Sequence, residues 1–147
     1  MNIFLQHLQK NITLTSEEKN IIVSKIKHRK YLKGQYILQA GDVCRYQSFI
    51  ISGKIRTFYL DDNGNEHIVS FGIENWWAGD LASFSSQTPA DFDVQCLENT
   101  TLIQISYENL QQLYLEVPKM ERFFRLLIQK AYANTQKRLV RNYTLSA

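Results

Sequence analysis

The chain of 147 residues is 44% hydrophobic and 21% charged, with a formal net charge of +3, which suits one hydrophobic core and is too short for two full-sized domains. No apolar run approaches the roughly 20 residues that cross a bilayer, and Gln6, His7 and Lys10 stand where a signal-peptide core would lie, so a soluble, cytoplasmic protein without membrane contact is expected. Two cysteines, Cys44 and Cys96, without Cys-x-x-Cys spacing give no support to a disulfide framework or a zinc ribbon, and a cysteine-held iron–sulfur cluster takes about four thiolates. They are expected to be reduced thiols, at least one of them in the core.

The charge is uneven. Residues 118–147 carry seven Lys or Arg against the single acid Glu121, whereas residues 1–117 hold ten basic and thirteen acidic residues. A basic C-terminal segment can face nucleic acid or an acidic partner, and cations near a helix C-terminus also stabilise the helix by themselves.

In chain order, Thr15 and Glu18 have the spacing of a capping box, followed by Ile22 and Ile26, which predicts a helix of about three turns. Lys25, Lys27, His28, Arg29, Lys30 and Lys33 form its basic, solvated tail. From Tyr31 onward, short β-branched and aromatic runs bounded by glycines predict strands over 36–39, 48–52, 54–60, 66–71, 92–97 and 100–105. Asp61-Asp62-Asn63-Gly64 marks a hairpin between two of them, because Asn-Gly tolerates the positive φ angles of a tight turn. Six short strands at regular spacing predict a sandwich or barrel.

Ser106 is placed to cap a short helix carrying Leu110, Leu113 and Tyr114, and Pro118 sits where a first helical turn accepts it. The stretch from Pro118 to about Asn142 lacks Gly and internal Pro, with Met120, Phe124, Leu127, Ala131 and Leu139 near one stripe. A helix of about 25 residues would run roughly 38 Å, too long to pack wholly on a small barrel. It is expected to bury one face on the barrel and another on a second copy of the chain, with Phe124, Leu127 and Ala131 as the homodimer interface. The alternative is a single amphipathic helix on its own domain.

Helix, jelly-roll-like strands, short helix and long terminal helix, in that order, resemble the cyclic-nucleotide-binding domain. Lys33-Gly34-Gln35-Tyr36-Ile37-Leu38-Gln39-Ala40-Gly41-Asp42 is similar to that family's opening strand and its Gly-Asp turn. Phe49-Ile50-Ile51-Ser52-Gly53-Lys54-Ile55-Arg56 is similar to the next strand pair. Trp76-Trp77-Ala78-Gly79-Asp80-Leu81 is similar to the start of the phosphate-binding cassette, which continues to Asp91. The match spans roughly residues 14–142 and looks most like the sensor domain of Crp/Fnr-type bacterial transcription regulators.

The resemblance implies a mainly β fold: a jelly-roll (double-stranded β-helix) barrel with an N-terminal helix over residues 1–117, and a long C-terminal dimerisation helix over 118–147. It also implies a ligand site at Gly79, Asp80, Leu81, Ala90 and Asp91. In the family a short helix holds an anionic phosphate with its backbone N–H groups, and a Glu at the place of Asp80 accepts a hydrogen bond from the ribose. The chain departs from this pattern at Ala90-Asp91-Phe92, where the family has Arg followed by Ser or Thr and a small residue. Losing the bidentate Arg–phosphate contact costs on the order of 1.5–3 kcal/mol, about ten- to 150-fold in affinity. No Lys or Arg occurs between Arg56 and Lys119 to replace it, so tight cyclic AMP binding is not expected, and an effector of another kind is open.

Three functions compete. A regulatory sensor would couple its pocket to DNA binding, which in Crp/Fnr regulators is the task of a following helix-turn-helix domain. No segment here has that two-helix pattern, so DNA is an expected partner only through a C-terminal domain absent from this chain. A cupin-type enzyme needs two or three His plus a carboxylate around a metal, and only His67 falls among the strands; neither catalytic residues nor metal ligands nor a cofactor are predicted. A stand-alone interaction module without DNA binding is the third reading.

Overall fold

A computed structural model describes the backbone of residues 2–146 and the side chains of residues 3–142. Its helices are α1 (Asn2–Leu8), α2 (Ser16–Ser24), α3 (Leu81–Ser86), α4 (Tyr107–Glu116) and α5 (Lys119–Ser146). Its strands are β1 (Ile26–Tyr31), β2 (Tyr36–Leu38), β3 (Tyr46–Ser52), β4 (Ile55–Leu60), β5 (Glu66–Gly72), β6 (Trp77–Ala78), β7 (Asp93–Cys96) and β8 (Thr100–Ser106). The strands form two four-stranded antiparallel sheets, ordered β1-β8-β3-β6 and β2-β7-β4-β5. This is the jelly roll expected from the sequence, with helices before and after it.

Alternation along the strands separates two apolar regions. Ile50 of one sheet and Ile55 of the other both lie against Gly72, so they meet between the sheets. Phe49, the next residue along β3, points to the other face, where its ring sits 5.4 Å from both Phe4 and Trp77. That outer face is roofed by helices: Phe4 and Leu8 of α1, Leu110 and Leu113 of α4, and Met120, Phe123 and Phe124 of α5 are all buried. The first turns of α5 therefore belong to the same core as the barrel.

The capping box forms as predicted, with Glu18 N–H donating to Thr15 Oγ1 at 3.1 Å and Thr15 N–H donating to Glu18 Oε1 at 2.9 Å. The helix is shorter than its apolar pattern suggests, stopping at Ser24. The basic run after it is a strand, β1, paired with β8 over six residues. An edge strand with Lys27 to Lys30 exposed on both faces has no apolar alternation, so periodicity could not reveal it. β6 is only two residues long and α1 carries no cap signal, which is why neither is in the sequence reading.

The β4–β5 hairpin forms, but its loop is not a two-residue Asn-Gly turn. Strand pairing ends at Leu60 opposite Glu66, and Gly64 alone takes a positive φ, 83°. Asp61 organises the five-residue loop by accepting the Asn63 and Asn65 N–H groups at 2.9 Å each. His67, exposed on β5, reaches Asp61 Oδ2 at 2.8 Å and stacks on Tyr59. Between β3 and β4, Gly53 turns at φ 114°, and a Cβ there would lie 2.7 Å from Thr100 Cα, so only glycine fits.

Candidate functional site

The stretch 79–91 folds as a turn, the short helix α3 and a return segment. Gly79 opens it at φ 139°, a conformation that favours glycine, with its Cα side facing Cys44, whose sulfur a Cβ would meet at 3.2 Å. Asp80 follows as the N-cap of α3 in extended conformation. Its carboxylate is buried, 4% exposed, and both oxygens are used: Oδ1 accepts the Ser83 N–H at 3.1 Å and Oδ2 accepts the Asp91 N–H at 3.0 Å. One side chain thus starts the helix and closes the loop.

Ala90 is buried, and its backbone joins the loop to the turn after β2: its N–H donates to Asp42 O and its carbonyl accepts from Gly41 N–H, both at 2.8 Å. Leu81 and Asp91 are exposed at the two ends. Of the five predicted ligand residues, Asp91 is joined to Asp80 by the Asp80 carboxylate, Gly79 and Leu81 flank Asp80 along the chain, and Ala90 links the loop to the turn after β2. Arg56, the nearest cation before the cassette in sequence, is engaged with Glu66 at 2.7 Å and with Gln95, and stacks over Phe58.

Residues without a sequence signal hold this loop in place. Ser83 Oγ accepts the Cys44 N–H at 2.8 Å and donates to Thr88 O at 2.5 Å. Gln87, in the left-handed region at φ 53°, ends α3 and donates to Cys44 O and Phe84 O. Burial pushes the Cys44 thiol above its ordinary pKa, leaving it a protonated, apolar-like filler that donates to Tyr46 O. Cys96 is also a free, buried thiol raised by burial. A serine in a short helix or a glutamine beside it looks like any surface residue in sequence, because the partners come from a loop some forty residues away.

Trp77 and Phe84 serve the core. Trp77 is half-buried against Phe4, Phe49, Phe123 and Phe124, with its indole N–H donating to His7 Nε2 at 3.1 Å. Phe84 packs on Tyr107, while Trp76 is half exposed. Beyond Leu127, α5 leaves the core: Ala131 is exposed, as are Ile128, Tyr132, Leu139 and Val140. Phe124, in contrast, is 3% exposed and packs 5.2 Å from Trp77. Of the three residues expected at a dimer interface, Phe124 lies inside its own chain, Leu127 at the margin and Ala131 in the open. Arg138 touches β5 through the Val69 carbonyl at 3.1 Å. Among the described residues no cluster of His, Cys, Asp and Glu has the make-up of a metal site, and no helix is long and apolar enough to cross a membrane.

The cyclic nucleotide-binding domain profile matches residues 28–116, from β1 to the end of α4. The chain belongs to the cyclic nucleotide-binding domain family. Within that family it is 25% identical over 130 residues to the transcriptional activator protein Anr of Pseudomonas protegens, a match covering 88% of this chain and 52% of Anr. It is 29% identical over 131 residues to the fumarate and nitrate reduction regulatory protein of Vibrio cholerae, covering 87% of this chain and 51% of that one. The chain thus spans about half the length of these curated relatives. Its fold is shared with the catabolite activator protein of Thermus thermophilus, at a TM-score of 0.75 and 21% identity, over 86% of this chain and 59% of that one. Residues 79–91, the stretch that resembles the family's phosphate-binding cassette, lie within the matched segment.

Proposed function

We propose that the chain is the sensor part of a Crp/Fnr-like transcription regulator whose cassette no longer holds a cyclic nucleotide tightly. The observation that carries this reading is the use of Asp80. A phosphate at the start of α3 would compete with this carboxylate for the Ser83 N–H and would lie beside its negative charge. With Ala90 where the family has arginine, no cation offsets that repulsion.

The similarity to Anr and to the Vibrio regulator supports a regulatory role. In this reading residues 1–117 form the sensing unit and 118–147 the dimerisation helix, with a second copy of the chain covering the exposed apolar residues from Leu127 onward. DNA contact then belongs to sequence outside these 147 residues, and the protein works in the cytoplasm. The stand-alone interaction module is the reading to which failure of the test would lead.

The test is genetic. Deleting the gene that carries this chain is expected to change the transcript levels of a defined set of genes. The wild-type allele should restore them, and an allele with Leu127→Glu and Ala131→Glu should not. Unchanged transcripts on deletion, or full restoration by the altered allele, would overturn the regulator reading or its dimer respectively.

A further inference from the structure

A cavity of about 330 Å³ lies beside the cassette at one end of the barrel, with Asp42, Cys44, Arg45, Ser48, Gly79 and Gln104 on its wall. Of the cassette, Gly79 alone reaches it, so it is a different chamber from the phosphate position at α3. Its volume is at the lower end of the roughly 300–1,000 Å³ range of small-molecule sites, which fits a metabolite of amino-acid size.

Two observations give the chamber a chemical character. The first is Gln104, 3% exposed in the middle of β8 and on the same face as Leu102. Its Nε2 donates to Ser48 Oγ at 3.0 Å, while its Oε1 is buried without a hydrogen-bond partner. Reversing the amide lets the Ser48 hydroxyl donate to oxygen and leaves the nitrogen unpartnered instead, so in either assignment one polar end of this buried, cavity-lining amide has no hydrogen-bond partner. Buried polar groups ordinarily have partners.

The second is the pair Asp42 and Arg45. Both are exposed, both line the cavity, and neither makes an ion pair among the described residues. A wall with one carboxylate, one guanidinium and a buried amide has no net charge, and it complements a molecule that carries both signs together with a hydrogen-bonding group. Polyanions such as nucleotides meet only one cation there. We propose that this chamber binds a small zwitterion of amino-acid type, its carboxylate on Arg45, its ammonium on Asp42 and a polar group on Gln104 and Ser48.

Occupancy would be communicated to the cassette through Cys44. Its N–H is held by Ser83 Oγ and its carbonyl by Gln87 Nε2, so the loop that walls the chamber is hydrogen-bonded to both ends of α3. The inference concerns ligand binding alone and stands or falls independently of the regulator reading.

The test is titration calorimetry of the purified chain with L-serine, L-asparagine and L-glutamine, with succinate and cyclic AMP as singly signed controls. At least one amino acid is expected to bind, with about tenfold or greater weakening in Arg45→Ala and in Ser48→Ala/Gln104→Leu. Arg45 is exposed, so its variant folds and decides the matter even where the core pair does not. Replacing Ser48 and Gln104 together removes both polar partners, so its melting temperature should not fall far. No binding by any of the three amino acids, equal binding by wild type and Arg45→Ala, or binding of the controls alone would overturn the proposal.

Discussion

Asp80 and Asp91, eleven residues apart, are joined by one hydrogen bond of 3.0 Å from the Asp91 N–H to Asp80 Oδ2. The same carboxylate caps α3, so one side chain ties the start of the helix to the return segment. Asp80→Ala removes both acceptors and is expected to cost about 1–2 kcal/mol in urea unfolding. Asp80→Asn, which keeps an acceptor oxygen, should recover part of it; a loss below about 0.5 kcal/mol in the alanine variant would show that water replaces the cap.

Restoring the family's cation should restore its ligand. Ala90→Arg with Asp91→Ser removes one carboxylate and adds a phosphate fork, and cyclic AMP affinity is expected to rise about ten- to 150-fold by calorimetry. An unchanged affinity would mean that the loop stays shut around Asp80.

Phe124 and Ala131 sit on one helix in opposite circumstances. Truncating Phe124, buried between Trp77 and Tyr114, is expected to cost about 3–5 kcal/mol of stability. Leu127→Glu with Ala131→Glu should lower stability far less and convert a dimer to a monomer by light scattering. A mass that does not change would remove the helix from the interface.

His7 ties α1 to Trp77 and titrates abnormally. Burial, helped by the positive Lys10, lowers its pKa below 6.5, so the folded protein favours the neutral ring that accepts the indole N–H. The unfolded chain binds this proton more readily, so the stabilisation is complete above about pH 6.5 and is lost as pH falls toward the folded value. The melting temperature should therefore drop between about pH 7.5 and 5.5, and His7→Gln should flatten that part of the profile. An identical slope in the variant would assign the pH dependence to other groups.

Much of the architecture was legible because it rests on local rules. The capping box at Thr15, the Ser106 cap, the glycine corner at Gly53 and the long Gly-free stretch after Pro118 each signal themselves within a few residues. The strands from 36 to 105 fell close to their expected places for the same reason. β1 did not, because an edge strand is defined by its partner β8 and not by its own alternation. Gln104 carried a partial signal: a lone amide among Leu102, Ile103 and Ile105 must be buried, yet its pairing with Ser48, 56 residues away, is invisible in sequence.

By itself, then, the sequence determined the order of elements and the absence of any Lys or Arg between Arg56 and Lys119, since both depend on residue identity and short-range spacing. Only the tertiary structure decided how the cassette loop between them is held. The meeting of Asp80 with Asp91, of Ser83 with Cys44 and of Phe124 with Trp77 depends on which distant segments the two sheets bring within 3–6 Å, and that is a property of the packed barrel, in which each side chain's partner is set by topology and not by its neighbours along the chain.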